Sequence, residues 1–282
     1  MRCGARESFR AEKSLARFVL SSLLLCSTSV ALATEIRIGG TGGALAAMEL
    51  LGQQFAKSNP DMTVTVLSSL GSSGGIKALL KGAVEVAVSA RALEDKERAQ
   101  GAREIEYAKT PFVFAVGSGT RATNVSTQEL AEILSGKRDK WEDGTKIRLI
   151  LRPKGDSDSE LIGSISPAIR EALTQAESKP GMLFAVTDQD SAENVEKVTG
   201  AFGSTTLGQI ISEKRAIKAL MLNGVEASPK SLRDGTYTLH KRLFMVLPAN
   251  PAPAAQRFVA FVQSPKGQEL LTHTGFLVQS AR

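Results

Sequence analysis

Thiols are almost absent from this sequence. The two cysteines, Cys3 and Cys26, both precede residue 33, in a stretch that reads as an export leader. Arg2, Arg6, Arg10, Lys13 and Arg17 form a basic start, an apolar run follows from Phe18 to Cys26, and Ala31-Leu32-Ala33 supplies the small residues of a cleavage site after Ala33. The run is too short for a membrane anchor, and Ser21, Ser22, Ser27, Thr28 and Ser29 dilute it. Leu23-Leu24-Leu25-Cys26 resembles a lipobox, but the bulky Leu25 stands where a small residue is usual. The expected secreted form therefore begins at Thr34 without lipid. It has no thiol, which excludes a disulfide, a zinc–cysteine site and a cysteine nucleophile.

Other shortages narrow the field further. The histidines are His240 and His273 alone. Neither lies near an acid–serine pattern, and no His-Glu-x-x-His run or carboxylate–histidine cluster offers metal spacing. One Trp and two Tyr make a poor stacking platform for sugars or single strands. Beyond the leader no apolar run is long enough to span a bilayer. The formal charge of +6 is partly the leader's, which removes five basic and two acidic residues. The modest surplus that remains does not argue for nucleic acid and suits an anionic ligand.

What is present is an alternation of strand and helix. Residues 35–39 alternate polar and apolar, and Gly40-Thr41-Gly42-Gly43 follows. Leu45, Met48, Leu51 and Phe55 then recur at helical spacing within 44–57, ended by Asn59-Pro60. Residues 63–67 predict a second strand, Gly71-Ser72-Ser73-Gly74-Gly75 a turn, 76–81 a helix and 84–89 a third strand. This rhythm predicts an α/β lobe with a largely parallel sheet. A strand at 111–116 is broken by Gly117-Ser118-Gly119. Beyond it the pattern gives helix 127–134, strand 147–151, helix 160–177, strand 182–187, strand and turn from Lys218, strand 243–247, and helices 254–262 and 265–273. Two crossings predict a discontinuous lobe I, residues 34–115 plus 240–282, and a lobe II of residues 116–239. A two-strand hinge and a cleft would then lie between them.

Three Gly- and Ser-rich turns open helices: Gly40-Thr41-Gly42-Gly43, Gly71 to Gly75, and Gly155-Asp156-Ser157-Asp158-Ser159. A helix N-terminus carries unpaired N–H groups and about half a unit of positive charge. Glycine admits close approach and serine adds donors, so such turns can bind an oxyanion. Each is also an ordinary cap or turn. Arg152 ends the strand before the third turn, and its planar guanidinium matches two oxygens of a tetrahedral anion. Arg91, after the third strand, is a second candidate cation. Lys154 reads as solvent-exposed. Asp156 and Asp158 could hold a cation, but they lack calcium-loop spacing and read as caps. The first turn is not a P-loop, because no Gly-Lys-Ser/Thr follows.

Gly71-Ser72-Ser73-Gly74-Gly75-Ile76-Lys77 resembles the serine–glycine turn of the periplasmic phosphate-binding proteins of ABC transporters. The stretch Leu134-Ser135-Gly136-Lys137 before Trp141, the position of Arg152, Gly224 to Pro229, Gly235-Thr236-Tyr237 and Ser264 to Gln268 resemble further segments of that family in the same order. The resemblance implies an α/β type II periplasmic-binding fold and no cofactor. It also implies a small tetrahedral oxyanion, phosphate first, held for an ABC permease in the inner membrane. A monomer is the default. By this resemblance Gly42, Gly43, Ser72, Arg152, Asp156, Ser157 and Asp158 would hold the ligand, and the reading of the turns and strand ends adds Thr41, Ser73, Ser89 and Arg91 as candidates. The chain departs from the family pattern at Ala90, where many phosphate binders carry an aspartate. It departs again at Lys154, where they carry the arginine's acidic neighbour, and at Asp156 and Asp158. An uncompensated carboxylate would repel a dianion. At least one of these acids should therefore accept a ligand proton, pair with Arg152 or Arg91, or face away. A periplasmic sensor subunit signalling to a membrane kinase and a phosphatase on the same scaffold are the alternatives.

Overall fold

A computed structural model describes residues 33–278; the leader, with both cysteines, lies outside the described residues. The chain order is β1 (Thr34–Gly40), α1 (Gly42–Ser58), β2 (Met62–Val66), α2 (Gly71–Leu80), β3 (Val86–Ser89), α3 (Asp95–Ala99) and β4 (Arg103–Gly117). There follow β5 (Asn124–Val125), α4 (Thr127–Ser135), β6 (Arg148–Leu151), α5 (Ser157–Gly163), α6 (Pro167–Glu177), β7 (Leu183–Phe184), α7 (Asp188–Lys197), β8 (Ala201–Thr206) and α8 (Leu207–Ser212). The remainder is β9 (Ile217–Ala219), β10 (Met221–Leu222), α9 (Pro229–Arg233), β11 (His240–Leu247), α10 (Pro253–Gln263), α11 (Pro265–His273) and β12 (Leu277–Val278).

The main sheet runs β2-β1-β3-β11-β4-β8-β6-β7. β1 is parallel to β2 and β3, whereas β11 is antiparallel to both β3 and β4, so the first part of the sheet is mixed rather than largely parallel. β4 joins its two parts. Residues 103–111 pair with β11, from Arg103↔Leu247 to Pro111↔His240, and residues 112–116 pair with β8, from Phe112↔Thr206 to Val116↔Phe202.

Strand alternation sorts the core into layers. Val86 and Val88 of β3 and Leu243, Met245 and Leu247 of β11 face α1, α10 and α11, where Phe55 and Phe258 meet edge to face at 5.5 Å. Ala87 and Val246 face the opposite way, toward Ile76 and Leu79 of α2. Across β4 the same logic repeats. Phe112, Phe114 and Phe202 join Leu130, Ile133, Ile169 and Trp141, with Phe114 stacked on Phe202 at 5.6 Å, while Ala115 and Ala201 face Ala192 and Val195 of α7. With both faces covered, the central strands read as buried runs.

Local chemistry explains where the structure departs from the sequence expectations. The helix expected at 160–177 is two, because Ser166 caps α6 by accepting from the Ile169 N–H and Pro167 takes a first-turn position. The expected turn at 71–75 already belongs to α2, which starts at Gly71 with φ 66°. Gly75 there lets α2 approach β1, since a Cβ would lie 2.5 Å from the Gly40 Cα. α7, β8 and α8 fill a stretch with no sequence assignment. β7 ends the sheet at the edge farthest from β2, and Leu183, Phe184 and Val186 are exposed there.

Candidate functional site

The site begins where β1 stops. Gly40 has φ 147°, and any Cβ there would sit 1.9 Å from the Val88 carbonyl oxygen, so only glycine can make this bend. α1 then starts with Gly42 and Gly43 buried. Its first N–H groups are therefore out of reach of water and need an acceptor. Thr41, the N-cap, makes no side-chain cap bond. Asp188, the first residue of α7, supplies the acceptor instead. Its Oδ2 accepts from the Gly43 N–H at 3.0 Å and from the Thr41 hydroxyl at 3.2 Å. A carboxylate at this end of a long helix also meets the positive end of the helix dipole.

Two buried cations face the other oxygen. Lys241 Nζ lies 3.4 Å and Arg152 Nη2 3.7 Å from Asp188 Oδ1. Lys241 is 5% exposed, Arg152 5%, Asp188 7% and Asp158 1%, so these charges survive burial only through one another. Lys241 also contacts Asp158 directly and lies 5.6 Å from the Phe112 ring centroid. Arg152 spends its Nε and Nη2 edge on Asp156, at 3.2 and 3.1 Å, and its Nη1 on the Ala185 carbonyl at 3.1 Å. Asp158 Oδ2 lies 3.8 Å from Arg152 Nε. Three carboxylates thus share two cations.

The titration of these groups follows. Burial pushes the Asp188 carboxyl upward, but Lys241 and Arg152 outweigh it, with help from the Gly43 N–H and Thr41 hydroxyl, and hold it at about 2. For Asp158 burial wins over Lys241, and neighbouring Asp188 adds to it, so its carboxyl lies above the usual range. Burial works against the charge of Lys241, yet Asp158 and Asp188 raise the ammonium above its ordinary value.

The structure gathers Thr41, Gly43, Arg152, Asp156 and Asp158 from the sequence candidates. Asp156 and Asp158 pair with the cations, and Asp156 also caps α5 by accepting from the Asp158 N–H. Gly42 lies beside them; its carbonyl accepts from Gln189 Nε2 at 2.9 Å, and a Cβ on it would collide with the Gln189 amide. Ser157 Oγ reaches only Asp158, at 3.4 Å. The second turn forms a separate group. Ser72 Oγ accepts from the Ala90 N–H, Ser89 Oγ bonds to the Arg91 backbone, and Arg91 pairs with Glu97 at 2.8 Å and donates to Ser73. Among the described residues no hydrogen bond or ion pair joins that group to Arg152, Lys241 or Asp188.

Sequence reasoning missed Asp188 and Lys241. Thr187-x-x-Asp190 is a capping-box signal, and both of its reciprocal bonds form. Lys241 has the parity of Leu243, Met245 and Leu247 on β11, a charge in an apolar register. Beside the cluster, an open groove of about 810 Å³ is lined by Leu45, Glu49, Ser69, Thr187, Gln189 and Arg215, among others, so the residues flanking Asp188 face it.

A family model described as a PBP superfamily domain matches residues 27–266. The phosphate-binding protein PstS of Borreliella burgdorferi is 24% identical over 252 residues, covering 86% of this chain and 89% of that protein. A Clostridium perfringens protein described as a phosphate ABC transporter substrate-binding protein, solved with bound phosphate, superposes with a TM-score of 0.72 at 18% identity, covering 87% of this chain and all 100% of that one. The periplasmic molybdate-binding protein of Azotobacter vinelandii superposes with a TM-score of 0.61 at 17% identity, covering 86% and 99%. At these identities the structural likeness establishes the fold.

Proposed function

We propose, given that the chain belongs to the PBP superfamily, that it is the solute-binding receptor of an ABC importer and captures a small tetrahedral oxyanion, phosphate first. The fold is α/β and of the type II periplasmic-binding kind. The observation that carries the reading is the convergence of an α1 backbone N–H, the Thr41 hydroxyl, Lys241 and Arg152 on one negatively charged group. These donors come from chain segments far apart in sequence, and nothing but an anion is complementary to all four.

The receptor works as two lobes, residues 34–115 plus 240–282 and residues 116–239, with ligand held between them. Supporting this, the apolar clusters change over along β4 between Ala108 and Phe112. The donors of the site come from both sides of that change. The Ser72 group lines the carboxyl ends of β1 and β3 and adds hydroxyls when the lobes close on ligand. The chain acts outside the cytoplasmic membrane after loss of its leader, and among the described residues no helix is long and apolar enough to cross a membrane.

Isothermal calorimetry with phosphate, arsenate, sulfate and molybdate tests this. Phosphate is expected to bind with saturable heat and a stoichiometry of one, and more tightly than sulfate. No heat with any of the four anions would end the receptor reading; preference for another member would move the ligand and keep the site.

A further inference from the structure

The donor set described above is not waiting for a ligand. A side chain of the protein already fills it. Asp188 Oδ2 takes the Gly43 N–H and the Thr41 hydroxyl, and Oδ1 faces Lys241 and Arg152. A carboxylate offers two oxygens in a plane and a tetrahedral oxyanion offers two on any edge, so the same donors serve either group. They cannot serve both. Two anions competing for the same N–H and hydroxyl would leave one of them buried beside net negative charge, since Asp156 and Asp158 already share the two cations. Of the five N–H donors of Arg152, Asp156 takes two and the Ala185 carbonyl one, which leaves Arg152 no free two-pronged edge on its Nε side.

We infer that Asp188 is an internal anion that occupies the receptor's donor set and must withdraw before a ligand oxyanion can enter, so that its carboxylate sets the receptor's affinity. This rests on the oxyanion-receptor reading and adds to it a residue that determines affinity.

Three further observations fit the withdrawal. Asp188 is the first residue of α7, so it sits at an element end, where a few backbone torsions can move it. Thr187 and Gln189 on either side line the open groove, whereas Asp188 and its donors lie behind that lining, so a rotation of the first turn of α7 would carry the carboxylate toward the groove and uncover the donors. Gln189 Oε1 is buried without a hydrogen-bond partner, packed over Gly42. The contact between α7 and the start of α1 thus holds an unmet acceptor that opening would return to water.

Displacing an internal competitor lowers apparent affinity by the fraction of molecules in which the site is free. Removing the competitor should therefore tighten binding. The test is calorimetric titration of inorganic phosphate, with sulfate, arsenate and molybdate in parallel, into the full secreted chain and its Asp188→Ala and Asp188→Asn variants. Circular dichroism and thermal melting check the fold. Asp188→Ala is expected to bind phosphate about tenfold more tightly or better than the unaltered chain. Asp188→Asn, which keeps size but not charge, is expected to lie between them and carries the test if the alanine variant does not fold. Equal affinity in all three chains would overturn the inference and leave the receptor reading intact. Weaker binding by the variants would also overturn it, by making Asp188 a direct acceptor from the ligand. If no chain binds any of the four anions, the receptor reading fails and the inference falls with it.

Discussion

An ammonium group as enclosed as that of Lys241 persists only where carboxylates compensate its lost hydration, and Asp158 and Asp188 do so here. Lys241→Met should leave Asp158 buried with only the more distant Arg152. The expected loss is about 3–5 kcal/mol of folding stability, read from urea denaturation. Adding Asp158→Asn should recover much of it, because the unpaired charge goes too; a double variant as unstable as the single one would mean that Lys241 matters for packing on Phe112 instead. Acid offers a second handle. Asp188 titrates at about 2 when folded, against roughly 3.9 in an unfolded chain. Its ionised form therefore stabilises the folded chain at every pH above the ordinary range, and that contribution disappears as pH falls from about 4 to about 2. Asp158 has the opposite sign: with its folded value raised, its contribution is present at low pH and lost as pH rises through that value. Urea midpoints between pH 5 and pH 2 should thus fall less steeply for Asp188→Asn than for the unaltered chain. Parallel slopes would contradict the depressed value.

At the scale of elements, the position of Asp188 depends on how α7 starts. Thr187 accepts from the Asp190 N–H and Asp190 from the Thr187 N–H, which fixes the first turn. Thr187→Ala should cost about 1 kcal/mol of stability and should loosen the seat of the carboxylate. A thermal melt and the phosphate titration read the two effects separately. The elements that the sequence reveals are those whose patterns are long. α1, with Leu45, Met48, Leu51 and Phe55 on one face, β1, α10 and α11 lie within a few residues of the sequence expectation. α7 escapes because its buried side is only Asp188, Ser191, Ala192 and Val195, too polar for a clear helical stripe. β8 escapes because Ala201 to Thr206 is buried on both faces, and apart from Phe202 small and hydroxylated residues fill it with no alternation. The site is legible to the same degree. Turns and Arg152 announce themselves by type, whereas Asp188 and Lys241 gain their meaning only when strands distant in sequence bring them together.

On the scale of the whole molecule, a bound anion should tighten what the shared sheet already holds. Binding to the folded chain alone adds stability by mass action, about 2.7 kcal/mol at a hundredfold excess over Kd. A melting temperature that rises with phosphate concentration, and not with equal ionic strength of chloride, is the expected sign. An Arg152→Ala chain should show no such rise. Its own stability should drop as well, because Asp156 would lose the partner that takes both of its oxygens.

The place of β11 in the sheet has a bearing on synthesis. It lies between β3 and β4, although it comes more than a hundred residues after either. As the polypeptide emerges from its amino end, β1, β2 and β3 appear first and find their neighbour missing. The middle of the chain, from Phe112 to Leu239, carries its own apolar cluster and can consolidate before the carboxyl-terminal strands have been made. The oldest strands must wait for one of the latest, with the edge of β3 open until about the last sixth of the protein arrives. Maturation thus runs from the centre outward, and a chain arrested before Leu247 would display an unclosed sheet edge to chaperones and proteases.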